Sequence, residues 1–356
     1  MVTLDPPDSP WLKIPGLTVY GIGRGTGTYA FAPQLITWLK ANVHRYDVVI
    51  VNGLWQFHLA AAWWVLRKSN IPYLVYPHGM LDPWFKEEYP LKHIKKTLYW
   101  WLVQHAALSR SAGVLFTCEE ERRLASKSFW PYDVKEYVVN YGTSMPTYDI
   151  DTPDNAFLEQ YPYLRGTRIW LYLGRIHEKK GCDLLIEAFS KAVANYPDVH
   201  LVMAGPDHTG LKPKLEKVAA EHGVAQRILW PGMLQGETKW AAFAASELFV
   251  LPSHQENFGI AVAEALAIGT PVLISNKVNI WREIEDDQAG IITRNTIDSV
   301  YDGMLKWLAL THQQRLQYRQ RARTCFSNRF NIDGASARML SVAREVSGAN
   351  TASSTA

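Results

Sequence analysis

The chain is predicted to fold as an α/β protein of two doubly wound, Rossmann-like domains, and three observations predict it. Its 356 residues, 47% of them hydrophobic, suffice for two ordinary cores. Short apolar runs without alternation are each followed by a helical pattern, as parallel strands covered on both faces require. That rhythm stops once, between about Thr143 and Arg168, and then restarts.

The first domain is expected over residues 1–146. Its runs are DVVIVNG followed by HLAAAWWVLRKS, then PYLVYPHG, GVLFTC followed by EEERRLASKS, and EYVVNYG. Pro146, Pro153 and Pro162 among scattered acids mark a linker over 147–167. The second domain, 168–332, opens with RIWLYLGR and the helix CDLLIEAFSKAVANY, where Leu185, Phe189 and Val193 fall four residues apart on one face. HLVMAGPD, RILWPGM, LFVLPS and TPVLIS supply further strands, separated by helices near LKPKLEKVAAEHG, TKWAAFAASE and IAVAEALAIG. A last helical stretch, 333–346, can pack back onto the first domain. The small polar residues 347–356 are expected to be disordered.

Composition excludes several function classes. The 37 basic and 34 acidic residues nearly balance at +3, and no long Lys/Arg block suggests nucleic-acid binding. Cys118, Cys182 and Cys325 are widely spaced and odd in number, so neither a disulfide framework nor a zinc site is indicated. The N-terminus lacks a cationic segment followed by an apolar one, and no run reaches the roughly 18 apolar residues of a membrane span. A cytoplasmic protein is expected.

Tandem α/β domains place ligands at the carboxyl ends of their strands, facing a common cleft. The loop LGRIHEKKG leaves one such strand at Gly174, and its cations Arg175 and Lys180 can converge on an anion that also meets backbone N–H groups. A diphosphate is the natural guest; a solvated basic loop is the plain alternative. In PSHQENFGIAVAEALAIGTPV, Glu256 and Glu264 would stand about 12 Å apart along a helix, too far to share a proton. They can instead grip two parts of one extended ligand, each accepting from vicinal hydroxyls. Glu264 lies among alanines, Val262 and Leu266, so it needs a donor, which a structural Arg or Lys can also supply. Asn257, Phe258 and Gly259 present a helix N-terminus suited to a ligand oxygen or phosphate.

Together, LYLG with Arg175 and Lys180, the ENFG turn with the spacing of Glu256 and Glu264, and the following GTPV resemble the donor half of family 4 (group 1) retaining glycosyltransferases of GT-B fold. The resemblance covers nearly the whole chain. It implies that Arg175 and Lys180 hold a donor diphosphate, that Glu256 contacts the sugar, that Glu264 binds the ribose, and that Gly232 and Met233 lie by the nucleobase. It also implies that His78, in YPHGMLDPW, sits near the reacting centre, where an imidazole can donate to the sugar or diphosphate.

Trp55, Phe57 and His58 follow DVVIVN in the same manner, and their rings can stack on an acceptor sugar or lipid head, or simply pack a core. Lys92, Lys95 and Lys96 precede Tyr99, Trp100 and Trp101, a pattern that suits an anionic membrane surface as well as a solvated helix face. The family opens with a strand, a Gly-rich turn and a helix before the region that VTLDPPDSPW resembles, so an incomplete first domain with an open sheet edge is expected.

The expected activity is transfer of a sugar from a nucleoside diphosphate sugar to a saccharide or lipid-linked acceptor, with retention and with no cofactor. No DxD motif is placed to hold a metal, so cationic side chains take its part. A UDP-sugar epimerase of the same architecture and a donor-binding remnant without turnover are the alternatives.

Overall fold

The computed structural model describes residues 1–146 and 155–348. Part of the expected linker, 147–154, and most of the expected disordered tail, 349–356, lie outside them. The described chain divides into two compact units, residues 1–139 with 337–348, and residues 140–146 with 155–336. Among the described residues no helix is long and apolar enough to cross a membrane.

The first unit carries β1 (Val2–Thr3) and β2 (Tyr20–Gly21) as a parallel pair, and β3 (Val49–Asn52), β4 (Tyr73–Tyr76), β5 (Gly113–Phe116) and β6 (Glu136–Val138) as a parallel sheet in that order. Every residue of β4 and β5 is buried, because helices cover both faces. β3 stands at the sheet edge, with Ile50 and Asn52 exposed. A cavity of about 630 Å³, walled by Val2, Leu4, Trp38, Leu39 and Val51, lies between β3 and β1.

The second unit holds β7 (Arg168–Leu173), β8 (Val199–Ala204), β9 (Ile228–Gly232), β10 (Leu248–Leu251), β11 (Val272–Ser275) and β12 (Gly290–Thr293) in one parallel sheet, ordered β12-β11-β10-β7-β8-β9. Leu185, Phe189 and Val193 are fully buried, as their spacing predicts. The carboxylate of Glu247 ties the sheet to its flanking helices, accepting from the indoles of Trp170 at 2.8 Å and Trp307 at 3.0 Å.

Two boundaries differ from expectation. The second unit begins at Asn140, and the second half of the expected linker is ordered: Asn155 caps the short helix Ala156–Gln160, and Phe157 is completely buried. Pro162, read as a breaker, instead opens a turn of 3₁₀ helix. The last helix, Ile332–Ser347, ends in the first unit, where the Tyr137 hydroxyl donates to Glu345 Oε1 at 2.7 Å beside Lys135.

Candidate functional site

The order of the six-stranded sheet creates the crevice. From β7 the chain builds outward through β8 and β9, then returns to the other side of β7 for β10, β11 and β12. Loops leaving β7 and β10 therefore diverge, and in open α/β sheets ligands bind at the carboxyl ends of such a pair. Arg175 and Lys180 leave β7; Glu256, Asn257 and Gly259 leave β10.

These two loops are joined by backbone as well as by charge. The His254 N–H donates to the Lys179 carbonyl at 2.9 Å, and the ammonium of Lys180 contacts the carboxylate of Glu256. Only 16% and 18% of these two side chains are exposed. Burial, reinforced by the cations of Arg175 and Lys179, lowers the Lys180 ammonium to about 8, while the adjoining Glu256 carboxylate favours its charged form. The Glu256 backbone is pinned on both sides: its N–H donates to Lys277 at 2.9 Å and its carbonyl accepts from Asn279 at 3.0 Å. Arg175 is exposed, its carbonyl fixed by the Tyr172 hydroxyl at 2.6 Å.

Gly259 opens the helix Ile260–Ile268 at φ +78°, with no side-chain cap on the first N–H groups. A Cβ there would press on Val262 at 3.1 Å and on Glu256 at 3.3 Å, so glycine is required by both backbone and space. Glu264 projects from this helix to Lys239, whose Nζ lies 2.8 Å from Oε1. The lysine comes from the helix Gly236–Ala245 and also lies 4.0 Å from the centroid of the Trp240 ring. The donor that burial demanded for Glu264 is thus a lysine that sequence reading missed, although it stands beside the apolar Trp240–Phe243 stretch.

The Gly205 N–H donates to the Gly232 carbonyl at 2.8 Å, and the Gly174 N–H to Ala204 at 2.9 Å, stitching the ends of β7, β8 and β9. Gly205 was also missed. A Cβ on it would stand 1.8 Å from the Gly174 carbonyl oxygen, so this crossing admits only glycine. Met233, after Gly232, is exposed. Phe258 requires a correction: its ring is buried edge-on against Tyr141 and Phe330, so only its backbone is free to meet a ligand.

In the first unit, His78 follows β4 at φ +50° and Gly79 at φ +78°, two consecutive left-handed residues. The His78 ring stacks on Tyr76 at 4.1 Å, and its Nε2 is 2.9 Å from Asn52 Oδ1 at the end of β3. Burial lowers its pKa, favouring the neutral ring near pH 7. The weak acceptor candidates fare differently. Phe57 is buried against Tyr29 and Phe31, which withdraws it as a stacking platform. Trp55 packs on Phe129 and Trp100 beneath the Lys96 ammonium, and His58 turns its Nε2 to the Gly53 carbonyl at 3.2 Å. Phe57 belongs to the core, whereas Trp55 and His58 are half-buried.

Comparison with known proteins bears on both units. The family described as Glycosyl transferases group 1 matches residues 158–324, and the Glycosyl transferase 4-like domain matches residues 1–141. The chain is 32% identical over 201 residues to the phosphatidyl-myo-inositol mannosyltransferase of Mycolicibacterium smegmatis, covering 55% of this chain and 49% of that protein. It is 28% identical over 193 residues to the alpha-D-kanosaminyltransferase of Streptomyces kanamyceticus, covering 54% and 49%. The chain thus spans about half the length of these curated relatives. Among solved structures, Anabaena HepE in complex with UDP and glucose superposes with a TM-score of 0.71 at 16% identity, covering 95% of this chain and 87% of that one. Sucrose-phosphate synthase from Thermosynechococcus elongatus gives 0.72 at 19% identity, covering 93% and 84%. Both likenesses show the GT-B fold.

Proposed function

Because the chain belongs to the group 1 glycosyltransferases, we propose that it transfers a sugar from a nucleoside diphosphate sugar to an acceptor hydroxyl, with retention at the anomeric carbon. The observation that carries this reading is the Lys180–Glu256 pair at the switch point of the second sheet. A cation and a carboxylate in one half-buried place suit a diphosphate beside sugar hydroxyls, the two chemistries a nucleotide sugar joins.

The leaving diphosphate gathers negative charge as the glycosidic bond breaks. Arg175, Lys180 and the N–H groups beyond Gly259 are positioned to stabilise that charge without a metal, and each such donor is worth about 3 kcal/mol in a preorganised site. Glu256 then holds sugar hydroxyls and Glu264 the ribose; in the first unit, His78 is the residue that the family resemblance assigns to transfer. Retention follows a front-face route in which the departing diphosphate takes the acceptor proton. Incubation with UDP-glucose and candidate saccharide acceptors, with the product's anomeric configuration read by NMR, tests this. A β-linked product from the α-linked donor overturns retention. Isomerised donor without any acceptor favours the epimerase.

We further propose peripheral attachment to an anionic membrane face. The helix Pro90–Tyr99 exposes Leu91, Ile94 and Leu98 on one side, continued by Trp101 and Leu102. Leu91 is 78% exposed. Trp130 joins them at 77% exposure, its carbonyl held by the Trp101 indole at 2.6 Å. Lys92 and Lys95 rim this patch with positive charge. Co-sedimentation with phosphatidylglycerol vesicles, weakened by Leu98→Asp with Trp101→Asp and absent with phosphatidylcholine alone, is the expected result. Equal sedimentation of the variant removes the proposal.

A further inference from the structure

Residue Glu121 is a carboxylate in the first unit that the proposed transfer does not use, yet it is only 4% exposed. It lies on the helix Glu119–Ala125, which follows β5. Its two oxygens have different tasks. Oε2 accepts from the Thr117 N–H at 2.7 Å and the Thr117 hydroxyl at 2.6 Å, a local arrangement at the start of its own helix. Oε1 crosses 42 positions of sequence to accept from the Gly79 N–H at 2.5 Å.

Gly79 belongs to the turn after β4, which is also knit by the Met80 N–H donating to Pro77 and the Asp82 N–H donating to Gly79, both at 3.1 Å. Within this turn His78 stands in the left-handed region, which an L side chain disfavours. Such a conformation persists only where surrounding bonds over-determine it. Capping a helix needs no buried charge, since a neutral hydroxyl or amide does it. A buried carboxylate is costly unless well bonded, but bonds to a charged acceptor are about twice as strong as neutral ones.

We propose that Glu121 is a positioning residue, clamping the Gly79 N–H so that His78 keeps its left-handed backbone, its stacking on Tyr76 and its bond to Asn52. The inference rests on the reading of His78 as a participant in transfer only for its functional meaning; the clamp itself is tested without turnover.

The test is the titration of His78 in the full chain, followed by the Cε1–H resonance of ¹³C-labelled histidine and assigned by its loss in His78→Asn. Two variants weaken the clamp. Glu121→Gln replaces one acceptor oxygen by a donor, and Glu121→Asp keeps the charge on a stem one methylene shorter. Burial is what lowers the His78 pKa. Release of the turn is therefore expected to move the midpoint upward, toward the ordinary value of about 6.5, in both variants, with a broadened resonance. Thr117→Val, which removes the hydroxyl's local contacts to Glu121 and Cys118, should leave the midpoint in place. An unmoved His78 titration in whichever clamp variant folds overturns the proposal, as does an equal shift in Thr117→Val. Turnover of UDP-glucose by His78→Asn judges the catalytic reading separately: full activity there with a shifted titration in Glu121→Gln would leave the clamp standing and His78 without a role in transfer.

Discussion

The two units carry loops at the same place, after parallel strands, yet they spend their side chains differently. After β7 and β10 the functional candidates are long charged residues that meet one another across the switch point, Lys180 with Glu256. After β3 the candidates are aromatic, and packing consumes them: Phe57 lies in the core of the first unit, and Trp55 leans on Phe129 and Trp100. A charged side chain left at a strand end needs a polar partner or a ligand, whereas an aromatic ring is satisfied by any apolar neighbour. Charge at a strand end is therefore the stronger reason to look for a ligand there.

The largest expected effect sharpens this contrast on its charged side. Lys180→Ala or Glu256→Ala should cut sugar transfer by roughly 10²–10³, the loss typical of one preorganised electrostatic contact. Because the two side chains touch, the double variant should lose far less than the product of the single losses. Steady-state release of UDP from UDP-glucose measures both. Full activity in either single variant sinks the site.

On the aromatic side, Phe57→Ala should act on folding and not on acceptor use. Removing a ring that is 9% exposed between Tyr29 and Phe31 is expected to cost about 3 kcal/mol of stability. Urea unfolding of the variant gives that figure. A stable Phe57→Ala protein with a raised acceptor KM would restore the ring to the acceptor site and break the contrast.

What was legible in the sequence follows the same division. The strand-and-helix rhythm located the parallel strands because buried parallel strands are apolar on both faces, as β4, β5, β10 and β11 are. Arg175, Lys180, Glu256 and Glu264 stood out as charges where the chain is otherwise apolar or turning, and the resemblance supplied their expected roles; the structure brings Lys180 to Glu256 and pairs Glu264 with Lys239. Lys239 did not stand out, because a lysine next to an apolar helix face reads as a surface residue until its partner is known. Gly205 escaped too, since the demand for glycine comes from the Gly174 carbonyl on a neighbouring strand, 31 positions away. The ordered stretch around Phe157 was hidden by its prolines, which start a helical turn as readily as they end one.

A smaller effect decides what Glu264 is for. If it binds ribose hydroxyls with Lys239 holding the carboxylate in place, Glu264→Gln and Lys239→Ala should each weaken UDP about tenfold, or roughly 1.4 kcal/mol. Calorimetric titration with UDP measures this. Unchanged affinity in Glu264→Gln would reduce the pair to a structural ion pair in the second unit.

The smallest effect comes from pH and tests whether Lys180 meets the diphosphate as a cation. In the free protein its ammonium is lowered to about 8 by burial and by the charges of Arg175 and Lys179. Below that value the lysine is charged and UDP is held at full strength; as pH rises through about 8 the free protein loses the charge while the complex, with phosphate beside the nitrogen, keeps it. UDP affinity should therefore fall on the alkaline side by at most about tenfold per pH unit, the limit for one coupled proton. Binding at pH 8.5 should take up a fraction of a proton, seen as a dependence of the calorimetric heat on buffer ionisation enthalpy. In Glu256→Gln the neighbouring carboxylate no longer favours the ammonium, so the fall should begin at lower pH. A flat UDP affinity between pH 7 and 9.5 in the wild-type chain, with no proton uptake, would mean that the diphosphate is not held by Lys180.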